Sequence, residues 1–245
     1  RNTGVEMASG NYIKFLDSDD LLASEAIQRQ YKRAVTLGEK NKIIFSSVQV
    51  IDAAGKEVRT DTYRQPPQVK NKLISYLLRH NIQTSAPLYP KSLLEEVEGF
   101  DEDLNRAQEY DLHIRLCLQG ARFYYEPILC AYVRTHDSKN RISNIDFMET
   151  NPMSFYTRLQ NRLQMIEQSF GEGLPREVRE FLSQEFWKGG REALRLGFEQ
   201  AAFQYFHKAQ ELAPNKCIVG SWLYRQCVRY VGPIKAEQIG SLRLW

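Results

Sequence analysis

Three carboxylates lie within four positions near the start of the chain. Asp17, Asp19 and Asp20 directly follow residues 12–16, a short and mainly aromatic and apolar segment. Carboxylates this close together repel one another unless a cation joins them. Hard oxygen ligands on a loop suit Mg²⁺ or Mn²⁺, and such an ion usually also holds substrate phosphates. The alternative is an acid-rich helix start, in which Asp20 or Ser24 caps the helix and the acids compensate its dipole.

A second pair of acids stands at the start of another predicted helix. The apolar spacing in residues 107–117 predicts a helix that ends at Gly120, with Glu109 and Asp111 in its first turn. The alternative role of these acids is compensation of the helix dipole, worth roughly 0.3–1 kcal/mol each. Both roles remain open from local sequence alone.

The elements around these acids are a mixture of strands and helices. Residues 12–16 predict a buried strand that ends in the acidic loop, and ligands of open α/β sheets gather beyond the carboxyl ends of the strands. We therefore expect an α/β domain with the acidic loop at such an end. Its predicted helices cover 1–8, 23–37, 72–79, 92–97 and 107–117, and its further strands cover 43–51, 56–59, 121–125 and 128–133.

The composition narrows the class of protein. The chain has 245 residues, 42% of them hydrophobic and 26% charged, which is ordinary for a soluble globular protein. The net charge of +3 is too small to argue for nucleic-acid binding, and no apolar run approaches the length of a membrane span. The four cysteines show no CxxC spacing, which indicates reduced core thiols in a cytoplasmic protein.

The pattern changes at about residue 151, after which helical spacing dominates. We predict two domains, an α/β domain over 1–145 and a helical region over 151–245. A predicted pair of helices near 190–214 is similar to a single tetratricopeptide-like hairpin. The predicted helices of this region cover 155–170, 176–188, 191–197 and 199–212.

The last stretch, 221–245, mixes aromatic and aliphatic residues with cations. Such a mixture suits a helix that lies on an anionic membrane surface. The alternative is a helix that docks on its own domain or on a partner chain. The residues concerned are Trp222, Leu223, Tyr224, Val228, Tyr230 and Val231, with Arg225, Arg229, Lys235 and Arg243.

Several short motifs stand in one order along residues 1–140, and together they resemble the family 2 inverting glycosyltransferases of the GT-A fold. That family begins with two or three βα units that this sequence does not contain, so we expect the sequence to be the later part of a longer protein. The motifs are Arg1-Asn2-x-Gly4, Ala8-Ser9-Gly10-Asn11-Tyr12-Ile13, Phe15-Leu16-Asp17-Ser18-Asp19-Asp20, Gly99-Phe100-Asp101-Glu102, Gln108-Glu109-Tyr110-Asp111-Leu112 and Tyr132-x-Arg134-x-His136.

The resemblance implies a sugar donor carried on a nucleoside diphosphate, with UDP the family-level expectation, and held with Mn²⁺ or Mg²⁺. Asp17-Ser18-Asp19 resembles the DXD motif of the family. By that match Asp19 binds the metal, and Asp17 lies near the ribose and diphosphate. The positions that match the lining of the nucleotide pocket are Arg1, Asn2 and Gly4.

The resemblance also implies a base. Inversion is a single in-line displacement at the anomeric carbon, and a carboxylate suffices to take the proton of the acceptor hydroxyl. Glu109 falls on the base position of the family, where Asp is usual, and Asp111 is the second choice. His136 matches a loop histidine that reaches the metal or diphosphate in some relatives; its alternative is a surface-loop histidine. His113 is predicted to pack internally or to line the acceptor side.

These expectations describe an enzyme that transfers a sugar to a surface glycan or a lipid-linked acceptor in polysaccharide synthesis. It would be cytoplasmic and could contact the inner face of the membrane peripherally through 221–245. The first alternative is a degenerate or truncated transferase domain that acts as a binding or scaffold module, since the missing front units could leave this chain inactive. The second is a metal-dependent nucleotidyltransferase, which the motifs around Glu109 and Arg134 fit less well.

Overall fold

A computed structural model describes residues 1–38, 40–104, 106–135, 147–171 and 173–240. The chain divides into two compact units, Arg1–Ile145 and Asp146–Trp245. Each unit has its own set of buried apolar side chains. The first unit mixes strands and helices, and the described part of the second unit is helical, which confirms the predicted α/β fold followed by an all-α region.

The elements of the first unit surround one sheet. Strand β3 is buried along almost its entire length, and Ile43, Ile44 and Phe45 are completely inaccessible to solvent. In chain order the elements are α1 (Asn2–Met7), β1 (Tyr12–Lys14), β2 (Leu21–Leu22), α2 (Ala26–Leu37), β3 (Lys42–Ile51), β4 (Glu57–Asp61), α3 (Lys70–Arg79), β5 (Pro87–Pro90), α4 (Lys91–Glu96), α5 (Gln108–Leu118) and β6 (Arg122–Arg134).

The described strands form one sheet of six, in the order β1-β5-β3-β6-β2, with β4 paired to β3 beside β5. The β3–β6 pair is parallel, and the other pairs are antiparallel. Tyr132, near the end of β6, is the register partner of both Gln49 in β3 and Leu21 in β2. The chain that follows the acidic loop is therefore bound to the end of β6.

Strand β6 differs from the prediction, which broke it into two strands at Pro127. The structure has one strand with a shift in register, because Phe45 pairs with Tyr125 while Ser47 pairs with Leu129. Three residues of β6 therefore stand opposite one residue of β3. Pro127 lies within this bulge, where a missing amide hydrogen does not interrupt the ladder.

Helix α2 begins at Ala26, three residues later than predicted. Its N-cap is Glu25, in the left-handed conformation at φ 62°, and no side chain caps the helix. The Asp20 carboxylate instead accepts a hydrogen bond from the backbone N of Arg134 at 2.9 Å. The two caps proposed for an acid-rich helix start, Asp20 and Ser24, are thus not used as caps.

The second unit contains a helical hairpin made of α8 and α9. The prediction split α8 into two helices at its glycine pair, but the structure has one continuous helix. A Cβ on Gly189 would lie 2.5 Å from Cε1 of Tyr205, and one on Gly190 would lie 2.8 Å from Cε1 of Phe206. The glycines therefore admit the aromatic rings of α9. The described helices of this unit are α6 (Phe147–Thr150), α7 (Ser154–Phe170), α8 (Arg176–Arg195), α9 (Glu199–Leu212), α10 (Trp222–Val231) and α11 (Pro233–Gly240).

Candidate functional site

The acidic loop has a fixed backbone. The N–H of Asp20 donates to the carbonyl of Asp17 at 3.0 Å, and the buried Asp20 carboxylate holds the end of β6. From the other side, Nε of Arg134 donates to the carbonyl of Asp19 at 3.1 Å. Asp20 and Arg134 therefore act as anchors, while Asp17, Ser18 and Asp19 remain exposed. Sequence reasoning did not assign this role to Asp20; its signal was a third acid beyond the two of the DXD pattern.

Arg1 joins the acidic loop to the start of helix α5. One of its guanidinium nitrogens lies 2.9 Å from Oδ1 of Asp17, and the other makes a long hydrogen bond of 3.4 Å to Oε1 of Gln108. The guanidinium also lies over the ring of Phe100, 5.3 Å from its centroid. The residues brought together here are far apart in the sequence. A guanidinium placed beside an exposed carboxylate can bind a phosphate group of a ligand.

Asn2 holds the turn that carries Phe100. Its Nδ2 donates to the carbonyl of Phe100 and to Oε1 of Glu102, both at 2.8 Å, and its Oδ1 accepts from the N–H of Phe100 at 2.8 Å. Gly99 has φ 69°, and a Cβ there would lie 2.4 Å from Oδ1 of Asn2. Through Phe100, Asn2 thus supports the position of Arg1. The predicted contact of Asn2 with a nucleotide stays a prediction.

Gly4 lies in helix α1 and is exposed, and a Cβ added there would meet no atom within 4 Å. Packing within the described residues therefore does not require glycine at this position. Its predicted place in the nucleotide pocket stays a prediction.

The two acids at the start of α5 have different partners. Glu109 is half-buried, and its Oε1 accepts a long hydrogen bond of 3.4 Å from Nδ2 of Asn81. Asp111 forms a 2.7 Å ion pair with Nε of Arg115, and Nη1 of Arg115 donates to the carbonyl of Val97 at 2.6 Å. Asp111 therefore ties α5 to the end of α4. Glu109 is less tightly held than Asp111.

A buried polar pair lies under this site. The hydroxyl of Tyr89 and Nε2 of His113 are 2.6 Å apart, and both side chains are buried. Burial raises the pKa of Tyr89 well above its usual value, the negative charge of Glu109 raises it further, and Arg1 lowers it. Burial lowers the pKa of His113 to about 3. His113 therefore packs internally, and it is connected to the site by its contact with Tyr89.

Lys14 is a half-buried cation in β1, three residues before Asp17. Its Nζ donates to Oε1 of Gln30 at 2.9 Å and to the carbonyl of Ala86 at 3.0 Å. Burial lowers the pKa of Lys14 to about 8. Sequence reasoning did not use this residue; its signal was a lone charge within an otherwise apolar strand.

A divalent metal fits the acidic loop as an ion shared with a ligand. Within the described residues, no group of three or more His, Cys, Asp and Glu side chains is close enough to hold a metal by itself. Asp17 and Asp19 supply hard oxygens two positions apart, and Mg²⁺ or Mn²⁺ commonly takes one or two carboxylates together with substrate phosphates and water. His136, the other predicted ligand, lies outside the described residues.

The family of the chain follows from a match over residues 1–147 to the family described as Glycosyltransferase like family 2. The match covers both carboxylate motifs and Arg1. The chain belongs to this family. The protein is thus a glycosyltransferase-family domain followed by a helical region.

Curated relatives carry related names. The chain is 28% identical over 141 residues to an uncharacterised glycosyltransferase of Rickettsia bellii, a match covering 56% of this chain and 20% of the relative. It is 24% identical over 165 residues to a chondroitin synthase of Escherichia coli, a match covering 66% of this chain and 23% of the synthase. It is 32% identical over 129 residues to the amylovoran biosynthesis glycosyltransferase AmsB of Erwinia amylovora, a match covering 50% of this chain and 42% of AmsB. The chain thus spans less than half the length of each of these relatives.

A solved structure shows the same fold. The crystal structure of S. aureus TarS 1-349 in complex with UDP-GlcNAc matches 98% of this chain and 67% of TarS, with a TM-score of 0.61 and 16% sequence identity. This likeness confirms the GT-A fold expected from the motifs. Among the described residues, no helix has the length and apolar character that crossing a membrane requires.

Proposed function

We propose that this chain is an inverting glycosyltransferase that moves a sugar from a nucleoside-diphosphate sugar to a glycan or lipid-linked acceptor. The observation that carries the proposal is the position of Arg1, which joins the exposed Asp17 of the acidic loop to Gln108, the neighbour of Glu109 at the start of α5. The names of the chondroitin and amylovoran relatives favour cell-surface polysaccharide synthesis. The ligand of the TarS structure favours a UDP-sugar as the donor.

The donor occupies the side of the acidic loop. Asp19 would hold Mn²⁺ or Mg²⁺, and Asp17 would lie near the ribose and diphosphate. His136 acts as a further metal ligand or diphosphate contact. The nucleotide pocket is lined by Arg1, Asn2, Gly4 and Ser18. Arg1 is supported from below by Phe100 and can exchange part of its ion pair with Asp17 for a phosphate oxygen.

The chemical step uses one base. The metal, when bound, stabilises the charge that develops on the leaving diphosphate. Glu109 takes the proton of the acceptor hydroxyl as that oxygen attacks the anomeric carbon from the face opposite the leaving group. Asp111 keeps its ion pair with Arg115 and positions the helix.

The proposed location is the cytoplasmic face of a membrane. Peripheral contact through residues 221–245 would bring the enzyme close to a lipid-linked acceptor. Such a contact needs no membrane-spanning helix, because an interfacial helix lies in the plane of the bilayer surface and does not cross it.

The proposal is tested by thermal unfolding with a panel of nucleotide sugars that includes UDP-GlcNAc, each with and without Mn²⁺. A donor present at about 100 times its Kd should stabilise the protein by about 2.7 kcal/mol. Asp19→Ala should remove the Mn²⁺-dependent part of the shift, because it removes the metal ligand. Asp103→Ala, which changes another exposed aspartate of the same unit, should keep it.

Two outcomes would contradict the proposal. If Asp19→Ala still bound the donor with the full Mn²⁺-dependent shift, Asp19 would not be the metal ligand. Absence of any shift in the unchanged chain would favour the alternative of a degenerate or truncated domain that serves as a binding or scaffold module.

A further inference from the structure

Helix α10 is held to its own unit by one face. Tyr224 and Val228 are buried, and the hydroxyl of Tyr224 accepts a hydrogen bond of 3.2 Å from Nε1 of Trp187. The start of the helix is capped by Ser221, whose Oγ accepts from the N–H of Tyr224 at 3.1 Å. The helix therefore has a fixed orientation, and its opposite side is turned toward solvent.

The exposed side of α10 forms a continuous strip in which cationic and apolar side chains are separated. An α-helix turns 100° per residue. Going around the exposed side, the order is Arg225, Arg229, Trp222, Gln226, Tyr230 and Leu223. Trp222 is 70% exposed, Leu223 56% and Tyr230 86%. We call the strip formed by Trp222, Leu223, Arg225, Arg229 and Tyr230 the α10 face; it has cations along one side and aromatic and aliphatic groups along the other.

Exposed cations outnumber exposed carboxylates in the segment 221–240, which carries the α10 face. Lys235 of α11 adds a third exposed cation to the two arginines. The segment 221–240 contains one carboxylate, that of Glu237. Its Oε1 lies 2.6 Å from Nε of Arg191 and is largely withdrawn from solvent. The face thus combines exposed cations with aromatic rings and lacks an exposed carboxylate of its own.

We propose that the α10 face docks on an anionic membrane surface with the helix parallel to the bilayer plane. Tryptophan, tyrosine and leucine side chains bury their apolar parts at the boundary between headgroups and acyl chains. Arg225 and Arg229 remain at the level of the lipid phosphates, which attract them. Both arginines lie on the same side of the aromatic groups. A single orientation of the helix therefore allows the arginines to contact phosphates while the aromatic groups enter the apolar boundary.

Charge also disfavours a second copy of the chain as the occupant. A two-fold interface places the same patch against itself. Around the α10 face, this would bring the arginines of one copy near those of the other without a carboxylate from the face to pair with them. An anionic lipid surface supplies the missing negative charge.

This inference builds on the peripheral contact of the proposed function, but lipid binding is measured without donor or acceptor. The experiment is co-sedimentation of the full chain with phosphatidylcholine vesicles that contain about one third phosphatidylglycerol, compared with pure phosphatidylcholine. We expect binding to the anionic vesicles only, weakened by about 0.5 M NaCl because salt screens the arginines. A failure here would leave the transferase assignment standing.

Matched variants locate the contact. Arg229→Glu should weaken vesicle binding on the order of tenfold or more, because it replaces an attraction by a repulsion. Tyr230→Ser should weaken it on the order of fivefold by removing buried apolar area. Lys32→Glu and Tyr31→Ser make comparable changes at exposed positions of α2 and should bind as the unchanged chain does.

A second readout is the intrinsic fluorescence of the chain. It should shift to the blue on anionic vesicles, and Trp222→Phe should lose most of that shift. The proposal is overturned by equal binding to both vesicles, by no binding, or by equal losses in the α2 controls. It is also overturned if the chain ignores vesicles but self-associates through the α10 face, with Tyr230→Ser giving a monomer.

Discussion

Glu109 and Asp111 begin the same helix but are held in different ways. Asp111 is bound to Arg115 at 2.7 Å, and Arg115 in turn bonds to the end of α4. Glu109 has one long hydrogen bond to Asn81. A general base must be able to approach and leave its proton donor, and a carboxylate that already holds a short ion pair is less able to do so. At this scale the structure adds a reason for choosing Glu109 that the motif alone does not contain.

Glu109→Gln should leave donor binding intact and reduce sugar transfer on the order of 10²–10⁴-fold, the usual contribution of a positioned base. Asp111→Asn should lower the stability of the fold more than it lowers transfer, since it breaks the pair with Arg115. Glu96→Gln, an exposed change on α4, is the control for the Glu-to-Gln substitution. Transfer rates measured under saturating donor decide the case. If Asp111→Asn abolishes transfer and Glu109→Gln does not, the assignment is wrong.

His113 should make the fold sensitive to acid. Burial lowers its pKa to about 3, so between pH 6.5 and 3 the unfolded chain binds a proton that the folded chain does not. Protonation of His113 in the unfolded chain therefore lowers the free energy of unfolding by about 1.4 kcal/mol for each unit by which the pH falls between 6.5 and 3. His113→Gln removes it, so the stability gap between the two proteins should narrow as the pH falls. Denaturant unfolding at several pH values measures the gap.

The exposed His207→Gln variant is the matched control for that series. A gap for His113→Gln that stays constant between neutral pH and about pH 4 would contradict the linkage argument.

At the scale of elements, the parallel β3–β6 pair determines where the acidic loop lies. Strand β2 follows the loop and pairs with β6, while Asp20 and Arg134 bind the loop backbone to the end of the same strand. The predicted strand break at Pro127 was wrong because a bulge absorbs the proline.

The glycine pair of α8 gives a prediction at the same scale. Gly189→Ala should destabilise the second unit by about 1–3 kcal/mol, although alanine favours helices, because its Cβ would overlap the ring of Tyr205. The ring of Tyr205 cannot move freely, since its hydroxyl donates to the carbonyl of Pro152 at 2.9 Å and accepts from the N–H of Tyr156 at 2.7 Å.

Gly4→Ala is the control, since its Cβ has open space around it, and it should be neutral or stabilising by roughly 0.5–1 kcal/mol. Thermal unfolding of both variants measures the difference. Equal effects would show that the contact with Tyr205 does not require glycine.

At the scale of the whole molecule, two units with separate buried cores share one chain. Their cysteines are all free, in keeping with the predicted reduced thiols, and Cys117, Cys130 and Cys217 are buried. Burial raises the pKa of Cys117 to about 12 and that of Cys217 to about 11. Because the thiolate is the reactive form, these thiols should be inert while both units are folded.

Labelling with a thiol reagent at about pH 8 should therefore modify Cys227, which is only half-buried, well before the other three. Addition of denaturant should expose all four thiols. Cys227→Ser should remove the fast phase and leave the slow phase unchanged. Fast labelling of Cys117 in the absence of denaturant would contradict the burial of the α5 helix in the first core.

Local patterns predicted most of the elements. The patterns of residues 12–16 and 107–117 and of the predicted strands 43–51 and 56–59 each depend on neighbouring residues, and each gave an element of the right type in the structure. The ends of α2 and α8 were less accurate. Their limits depend on contacts with distant residues, namely Arg134 for the chain before α2 and Tyr205 for the glycines of α8.

By itself, the sequence determined the family, the α/β class of the first unit and the helical character of the second, because motif order and apolar spacing are properties of the chain read along its length. The tertiary structure alone decided which acids are anchors and which stay exposed. The contact of Arg1 with Asp17 and Gln108, the burial of Asp20 against β6 and the pairing of Asp111 with Arg115 all depend on distances in space. Side chains of the same type differ in their partners once the fold has brought those partners within reach.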